Sequence, residues 1–194
     1  PTSLASATFS IQVTSDLQMV TQELTIEVFN SLSIEDTALP IGIVGEAYTA
    51  SLTVIGGDGT YSWAVTEGEL PAGLQLEAST GTLSGVPTGG SPSYTFIASA
   101  TSDDGQVTSR ELTIVIYSPL VLTTETLPDG VEGVEINVTL EATGGDGTFA
   151  WSVTAGALPA GLVLSPGGAI TGVPPSGGSQ SIFTVQVVQG DDPT

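Results

Sequence analysis

The sequence predicts an all-β chain of antiparallel sandwiches repeated in tandem, and three observations carry that expectation. A phrase recurs: residues 56–76 read GGDGTYSWAVTEGELPAGLQL and residues 144–164 read GGDGTFAWSVTAGALPAGLVL, identical at 15 of 21 positions and 144 − 56 = 88 residues apart. Apolar residues alternate at Tyr61, Trp63 and Val65, at Phe96, Ala98 and Ala100, and at Leu112, Ile114 and Ile116. That is the period of a strand with one buried face. Turn signals punctuate these runs at Gly56-Gly57-Asp58-Gly59, Pro71-Ala72-Gly73, Val86-Pro87 and Asp103-Asp104-Gly105, where glycine supplies positive φ and proline fixes φ. Short strands with turn signals roughly every 8–12 residues are the pattern of an antiparallel β-sandwich.

Within the whole repeat the pattern predicts strands over 32–37, 47–55, 61–67, 74–78, 81–85, 93–102 and 107–117. Three segments superpose on one template. Phe9-Ser10-Ile11-Gln12-Val13 aligns with Phe96-Ile97-Ala98-Ser99-Ala100 and with Phe183-Thr184-Val185-Gln186-Val187, each spaced by 87 (96 − 9 and 183 − 96). Glu23-Leu24-Thr25-Ile26 aligns with Glu111-Leu112-Thr113-Ile114, 88 apart. Residues 1–30 therefore read as the C-terminal strands of a preceding repeat, or as a donor segment. Residues 31–118 read as a complete repeat and 119–194 as a repeat lacking its last strand. The junctions Asn30-Ser31 and Ser118-Pro119 leave almost no linker, which favours a stiff end-to-end rod. The chain opens inside its own pattern and reads as a piece of something longer.

Composition excludes whole classes of chemistry. The chain has no cysteine, no histidine and no lysine, and Arg110 is the sole cation against 21 carboxylates, for a formal charge of −20. Without cysteine there is no disulfide, thiolate nucleophile or Cys-ligated zinc. Without histidine the usual general base is missing. The charge repels nucleic acid and anionic lipid alike. No apolar run approaches the ~18 residues that a membrane span needs. Serine and threonine make up about a quarter of the residues, and a hydroxyl-rich, lysine-free surface suits extracellular exposure. Thr95, Ser99 and Thr113 read as outward-facing hydroxyls. Asn137-Val138-Thr139 is an N-glycosylation sequon and reads as a coincidence inside a strand.

The ordered run Gly56-Gly57, Trp63, Leu70-Pro71-Ala72-Gly73-Leu74 and Gly81-Thr82-Leu83-Ser84-Gly85-Val86-Pro87 returns as Gly144-Gly145, Trp151, Leu158-Pro159-Ala160-Gly161-Leu162 and Gly168-Ala169-Ile170-Thr171-Gly172-Val173-Pro174. It resembles the immunoglobulin-like (cadherin-like) tandem repeats of bacterial surface proteins, and the resemblance covers essentially the whole chain. It implies tandem antiparallel immunoglobulin-like β-sandwiches displayed at the cell surface, an adhesive or stalk-building role, and no catalytic activity. Trp63, Trp151, Phe96, Phe183, Leu74 and Leu162 read as structural core. The tryptophans alternate in phase with valines of the same face, which favours burial over sugar stacking.

Calcium is the cofactor the acidic residues bring to mind. Its candidate ligands are Asp103, Asp104, Glu35 and Asp36, with Asp191-Asp192 a further adjacent pair. Ca²⁺ needs six to eight converging oxygens, and aspartates at turns more often accept backbone N–H bonds. Catalysis has no candidate: no serine sits in G-x-S-x-G, and adjacent carboxylates on a strand point to opposite faces. Expected partners are neighbouring repeats or copies of the chain itself, with a host-cell or matrix ligand left open and no nucleic acid or membrane insertion.

Three functions are weighed. The first is a structural or adhesive module of an extracellular bacterial surface protein, stacking repeats into a rod or stalk. The second is a self-assembling filament subunit joined head-to-tail by donated strands, with Leu24, Ile26 and Val28 as the donated side chains. Two repeats need 2 × 88 = 176 residues and 194 − 176 = 18 remain, a duplicated penultimate strand, which a window of a longer array explains more simply than donation. The third is a carbohydrate- or protein-binding module, for which only the scattered Tyr48, Tyr61, Tyr94 and Tyr117 are available. Because an unpaired sheet edge invites association, the isolated segment 119–194 is expected to be unfolded or aggregation-prone. A cooperative thermal melt of that segment alone would count against this.

Overall fold

Alternating β-branched and aromatic residues between glycine and proline turns yield strands throughout, and no helix, in the computed structural model, which describes residues 5–89, 93–177 and 180–189. Among the described residues seventeen strands follow in chain order: β1 (Ala5–Ser15), β2 (Gln18–Val28), β3 (Ser33–Ile34), β4 (Gly42–Ile43), β5 (Tyr48–Ser51), β6 (Val54–Ile55), β7 (Tyr61–Gly68), β8 (Leu74–Leu76), β9 (Thr82–Gly85), β10 (Ser93–Ser102), β11 (Val107–Leu122), β12 (Ile136–Thr139), β13 (Ala142–Gly145), β14 (Phe149–Gly156), β15 (Leu162–Leu164), β16 (Ala169–Gly172) and β17 (Phe183–Gln189). The chain divides into two units, Pro1–Ile116 and Tyr117–Thr194.

In the first unit β7, β10 and β11 form one sheet, with β4 added on β11, and β5, β9 and β8 form a second; β3 pairs with β6. All these pairings with a recorded register are antiparallel. Between the sheets lies a core of 13 buried hydrophobic residues that includes Trp63, Leu74, Leu83, Phe96, Leu112, Ile114 and Ile116. The strand expected over 47–55 is interrupted at Leu52 and Thr53: Leu52 N–H still bonds the Gly81 carbonyl (2.9 Å), next in the β5–β9 register, but Thr53 N–H turns to the Asp36 carboxylate. The strand expected to end at 117 runs on to Leu122. Ser99, expected to face outward, is buried and donates its hydroxyl to the Thr108 carbonyl at 3.3 Å. Thr95 and Thr113 are exposed, their hydroxyls 3.1 Å apart.

The repeated phrase is consumed by backbone packing. Trp63 is 5% exposed, and its indole lies against Gly81, where an added Cβ would stand 2.7 Å from Cε2 and Nε1. Gly81 also holds φ +69°, a conformation that side chains other than glycine's adopt at a cost. Trp151 and Gly168 repeat the arrangement, with 2.8 Å to Nε1. Pro71 and Pro87 are among the largest fully buried side chains. They flank a turn in which Val86 N–H donates to the Gly73 carbonyl at 3.2 Å.

The hairpin β1–β2 has its own character. Its strands pair in unbroken register from Ala5↔Val28 to Ser15↔Gln18, and every one of these strand residues is exposed. One face carries Phe9, Ile11, Val13, Val20, Leu24, Ile26 and Val28; the other carries Ser6, Thr8, Ser10, Glu23, Thr25 and Glu27. It has the amphipathic pattern of β10–β11 without the covering sheet.

The second unit repeats the plan with fewer strands. Here β12, β16 and β15 form one sheet, β14 pairs with β17, and β13 pairs with Ser118–Leu122 of β11. Its buried core is Leu140, Trp151 and Ile170. Phe183 and Leu162, expected as core, are only half-buried. The physical reason is that no strand among the described residues pairs with β17 beyond β14.

Truncating Trp63 to alanine removes the indole that fills the space between sheets and is expected to cost the first unit about 3–5 kcal/mol. Gly81→Ala should also destabilise it, through a Cβ forced against the same ring. Denaturant midpoints of the two variants check both expectations, and a Gly81→Ala chain as stable as the parent would contradict the packing account.

Candidate functional site

The acidic turns and the cavities beside β17 are the two places where polar side chains or open space gather. At the turns, short side chains accept hydrogen bonds from nearby backbone. Asp58 Oδ1 accepts from Thr60 N–H (3.0 Å) and from the Ser102 hydroxyl (2.9 Å), and Ser102 Oγ accepts from Asp58 N–H at 3.0 Å. Asp146 Oδ1 accepts from Thr148 N–H and hydroxyl, both 2.7 Å, and its Oδ2 accepts from Gln189 Nε2 at 2.8 Å. In both copies the Gly-Gly-Asp-Gly turn is thereby tied to the strand that ends beside it.

Each calcium candidate has its own local setting. Asp104 accepts from Gln106 N–H (3.1 Å) and from Gln106 Nε2 (2.7 Å). Asp36 accepts from Thr53 N–H. Glu35 N–H donates to the Thr53 carbonyl, and Asp103 N–H donates to the Thr60 carbonyl. The four do not converge, and no group of three or more His, Cys, Asp or Glu residues suited to a metal forms among the described residues. Asp191 and Asp192 lie outside the described residues.

Gln106 is a residue that sequence reasoning missed. Its Oε1 accepts from Leu32 N–H (2.9 Å) and its Nε2 donates to the Asn30 carbonyl (3.1 Å), so it fixes the entry of the repeat to the β10–β11 turn. The signal was present in the SDDGQ run at 102–106, but only the acids were singled out. Arg110 donates from Nη1 to the Ile34 carbonyl at 2.9 Å. The tyrosines form no exposed cluster. Tyr48 is buried and donates to the Pro40 carbonyl (3.1 Å), Tyr61 donates to Gly56 (2.6 Å) and Tyr94 to Gly89 (3.1 Å), while Tyr117 is half-buried. Burial pushes the Tyr48 phenol up from its ordinary value.

Beside β17 the second unit is open. A cavity of about 330 Å³ is lined by Leu127, Gly130, Ile136, Leu162, Ile170 and Phe183, among others. A second of similar volume is lined by Leu122, Leu127, Leu140, Ser181, Phe183 and Val185, among others. The two share Leu127, Ser181 and Phe183 and so adjoin there, with Asp129, Glu132 and Glu125 among their polar lining. In the first unit the equivalent space is filled. Leu112, Ile114 and Ile116 of β11 are 2%, 0% and 4% exposed, and a Cβ added at Gly42 would stand 2.5 Å from Ile116 Cδ1 and 3.0 Å from Tyr48 Cδ2. The matching positions of the second unit are Gly130 and Ile136 (42 + 88 and 48 + 88). Leu24, Ile26 and Val28 carry the same side-chain pattern on β2 and are 39%, 56% and 48% exposed.

Comparison with known proteins places this geometry. The He_PIG family, described as Putative Ig domain, matches residues 28–117 and again 118–194. Among curated proteins none matches the chain. Similar solved structures include an endo-fucoidan hydrolase of glycoside hydrolase family 107, 16% identical over 97% of this chain and 32% of that one, with a TM-score of 0.40. Extracellular cadherin domains 3 to 6 of protocadherin gamma B2 are 13% identical over 90% of this chain and 53% of theirs, with a TM-score of 0.45. An I-band fragment of titin is 11% identical over 89% of this chain and 66% of its own, with a TM-score of 0.47. The chain spans less than two thirds of each of these structures, and the likenesses say nothing of activity.

The Asp104 and Asp146 carboxyls both sit below the ordinary carboxylate value, held there first by the side-chain bonds from Gln106 and Thr148 respectively. A lowered folded-state pKa contributes stability that is present above the unfolded value and lost as pH falls through the folded one. The second unit is therefore expected to melt at lower temperature as pH drops below about 4. Asp146→Asn should flatten that dependence, as followed by circular dichroism melts across acidic pH. An unchanged acid slope would remove Asp146 from the account.

Proposed function

The chain belongs to the He_PIG family of Ig domains, two tandem copies of which occupy it, and on that premise we propose that it is a non-catalytic structural and adhesive module of an extracellular bacterial surface protein. Such a module stacks repeats into a rod or stalk and presents their loops and hydroxyl-rich faces to solvent. One observation supports the reading: the recurring phrase packs the same way in both units, Trp63 against Gly81 and Trp151 against Gly168, 88 and 87 residues on.

The residues of the recurring phrase support a structural rather than catalytic role. Its tryptophans are in the core, its prolines and glycines make close backbone turns, and its aspartates are engaged by backbone and neighbouring side chains. Ig-like domains are in general non-catalytic. Calcium, if taken up, would draw on Asp103, Asp104, Glu35 and Asp36, of which Asp104 and Asp36 already accept from neighbouring donors. The second reading, a filament subunit joined by donated strands, rests on the exposed apolar face of β2; a carbohydrate-binding role has no exposed aromatic cluster behind it among the described residues.

Native material tests the array. The intact mass of the natural protein is expected to exceed 19.5 kDa by further repeats of the same period, and protease treatment of whole cells should release fragments of it. A mature chain of 19.5 kDa beginning near Pro1 would favour the filament instead. Melting in millimolar calcium or in chelator is expected to be the same.

A further inference from the structure

We propose that Asn137 is an N-glycosylation site, the acceptor of an oligosaccharide delivered from a lipid diphosphate carrier. The inference rests on the extracellular reading and adds to it a modified residue and the chemical class of what modifies it.

The sequence narrows the choice to one position. The chain has two asparagines, Asn30 and Asn137. The acceptor pattern needs a serine or threonine two residues after the asparagine and no proline between. Asn137-Val138-Thr139 meets it, whereas Asn30 is followed by Ser31-Leu32. The structure places the strand at a sheet edge and turns the pattern outward.

Among the described residues β12 pairs with β16 alone, and its side chains alternate between faces. Ile136 and Val138 are half-buried and line the larger cavity of their unit, with Val138 opposite the core residue Ile170. Glu135, Asn137 and Thr139 are all exposed and fall on the other face. All three are polar, so a further layer packed on this face would bury groups that have lost their water. Among the described residues no hydrogen bond holds the Asn137 side chain. The run 123–135 ahead of it holds no strand, so the acceptor, second residue of β12, is reached from a loop.

The first unit shows that this exposure belongs to the repeat. There β5 is the counterpart of β12 (48 + 88), and it too pairs with a single strand, β9. Thr49 and Ser51, at the positions of Asn137 and Thr139, are exposed as well, although β11 is in place across that unit's core. The outward face of β12 is therefore independent of what covers β17.

The reaction is a substitution at the anomeric carbon of the first sugar. Asn137 Nδ2 attacks that carbon, its bond to the diphosphate oxygen breaks, and the lipid diphosphate departs. The amide gives up one proton to a base of the transferase, and an N-glycosidic bond remains. A glycan at this position is bulky and hydrated. Standing at a strand with one free edge, it hinders pairing of that edge with other chains.

The native protein carries the test. Glutamyl endopeptidase, cutting after Glu135 and Glu141, releases residues 136–141 with Asn137 as their one asparagine. The mass of that peptide is expected to exceed its sequence value by whole sugar units, and fragmentation should place them on Asn137. Thr139→Ala, made in the producing organism, should lower occupancy at least tenfold, and Asn137→Gln should remove the sugar. Either variant should still melt cooperatively, because both side chains are exposed. Three results would overturn the proposal: a native 136–141 peptide at its sequence mass, sugar on Thr139 in place of Asn137, or unchanged occupancy in Thr139→Ala. The peptide mass does not depend on how many repeats the native chain has, so the glycan and the array fail separately.

Discussion

A two-layer sandwich is dry only where its outermost strand covers the edge of the core, and that constraint governs the difference between the two units. In the first, β11 lays Leu112, Ile114 and Ile116 across the space between the sheets, and the core closes over 13 hydrophobic residues. In the second, the matching edge of β17 is open, and the buried set contracts to Leu140, Trp151 and Ile170. Phe183 has the chain position of Phe96 but not its burial: Phe96 is 1% exposed and Phe183 is half-buried. Burial of an aromatic ring belongs to its neighbours across the sheet as much as to its own place in the alternation.

Inside that envelope, glycine and tryptophan fix the spacing of the layers. Gly81 and Gly168 bring backbone into van der Waals contact with an indole, which no residue with a Cβ permits without displacement. The ring in turn lies on the strand that pairs with β10 or β17. Loss of either partner therefore acts on both sheets at once, which accounts for the persistence of the full phrase across 88 residues.

Much of this was legible in the sequence because it depends on local pattern. Period-two alternation located β7, β10 and β11, and the glycine–proline clusters located their turns. The internal alignment of Phe9, Phe96 and Phe183 identified β1, β10 and β17 as counterparts before any coordinates. What stayed hidden depends on partners distant along the chain. Ser99 looked outward by composition, yet it is buried with its hydroxyl on Thr108. Gln106 gave no periodic signal because its role is to bond Asn30 and Leu32, 76 and 74 residues away. The cavities beside β17 lie where 119–194 reads as a repeat lacking its last strand, but which residues line them was not legible. The calcium candidates illustrate the same limit, since adjacency of Asp103 with Asp104 says nothing about convergence with Glu35 and Asp36.

The Gly-Gly-Asp-Gly turn is secured differently in its two occurrences: Asp58 closes on the Ser102 hydroxyl, and Asp146 on the Gln189 amide. Tandem repeats are prone to exchange equivalent strands while they fold. A strand that wandered into the wrong copy would here bring a short hydroxyl to the carboxylate otherwise met by a longer amide, or the reverse. The small divergence between otherwise duplicate phrases thus gives each domain a key of its own, and favours correct assembly of neighbours that would otherwise be interchangeable.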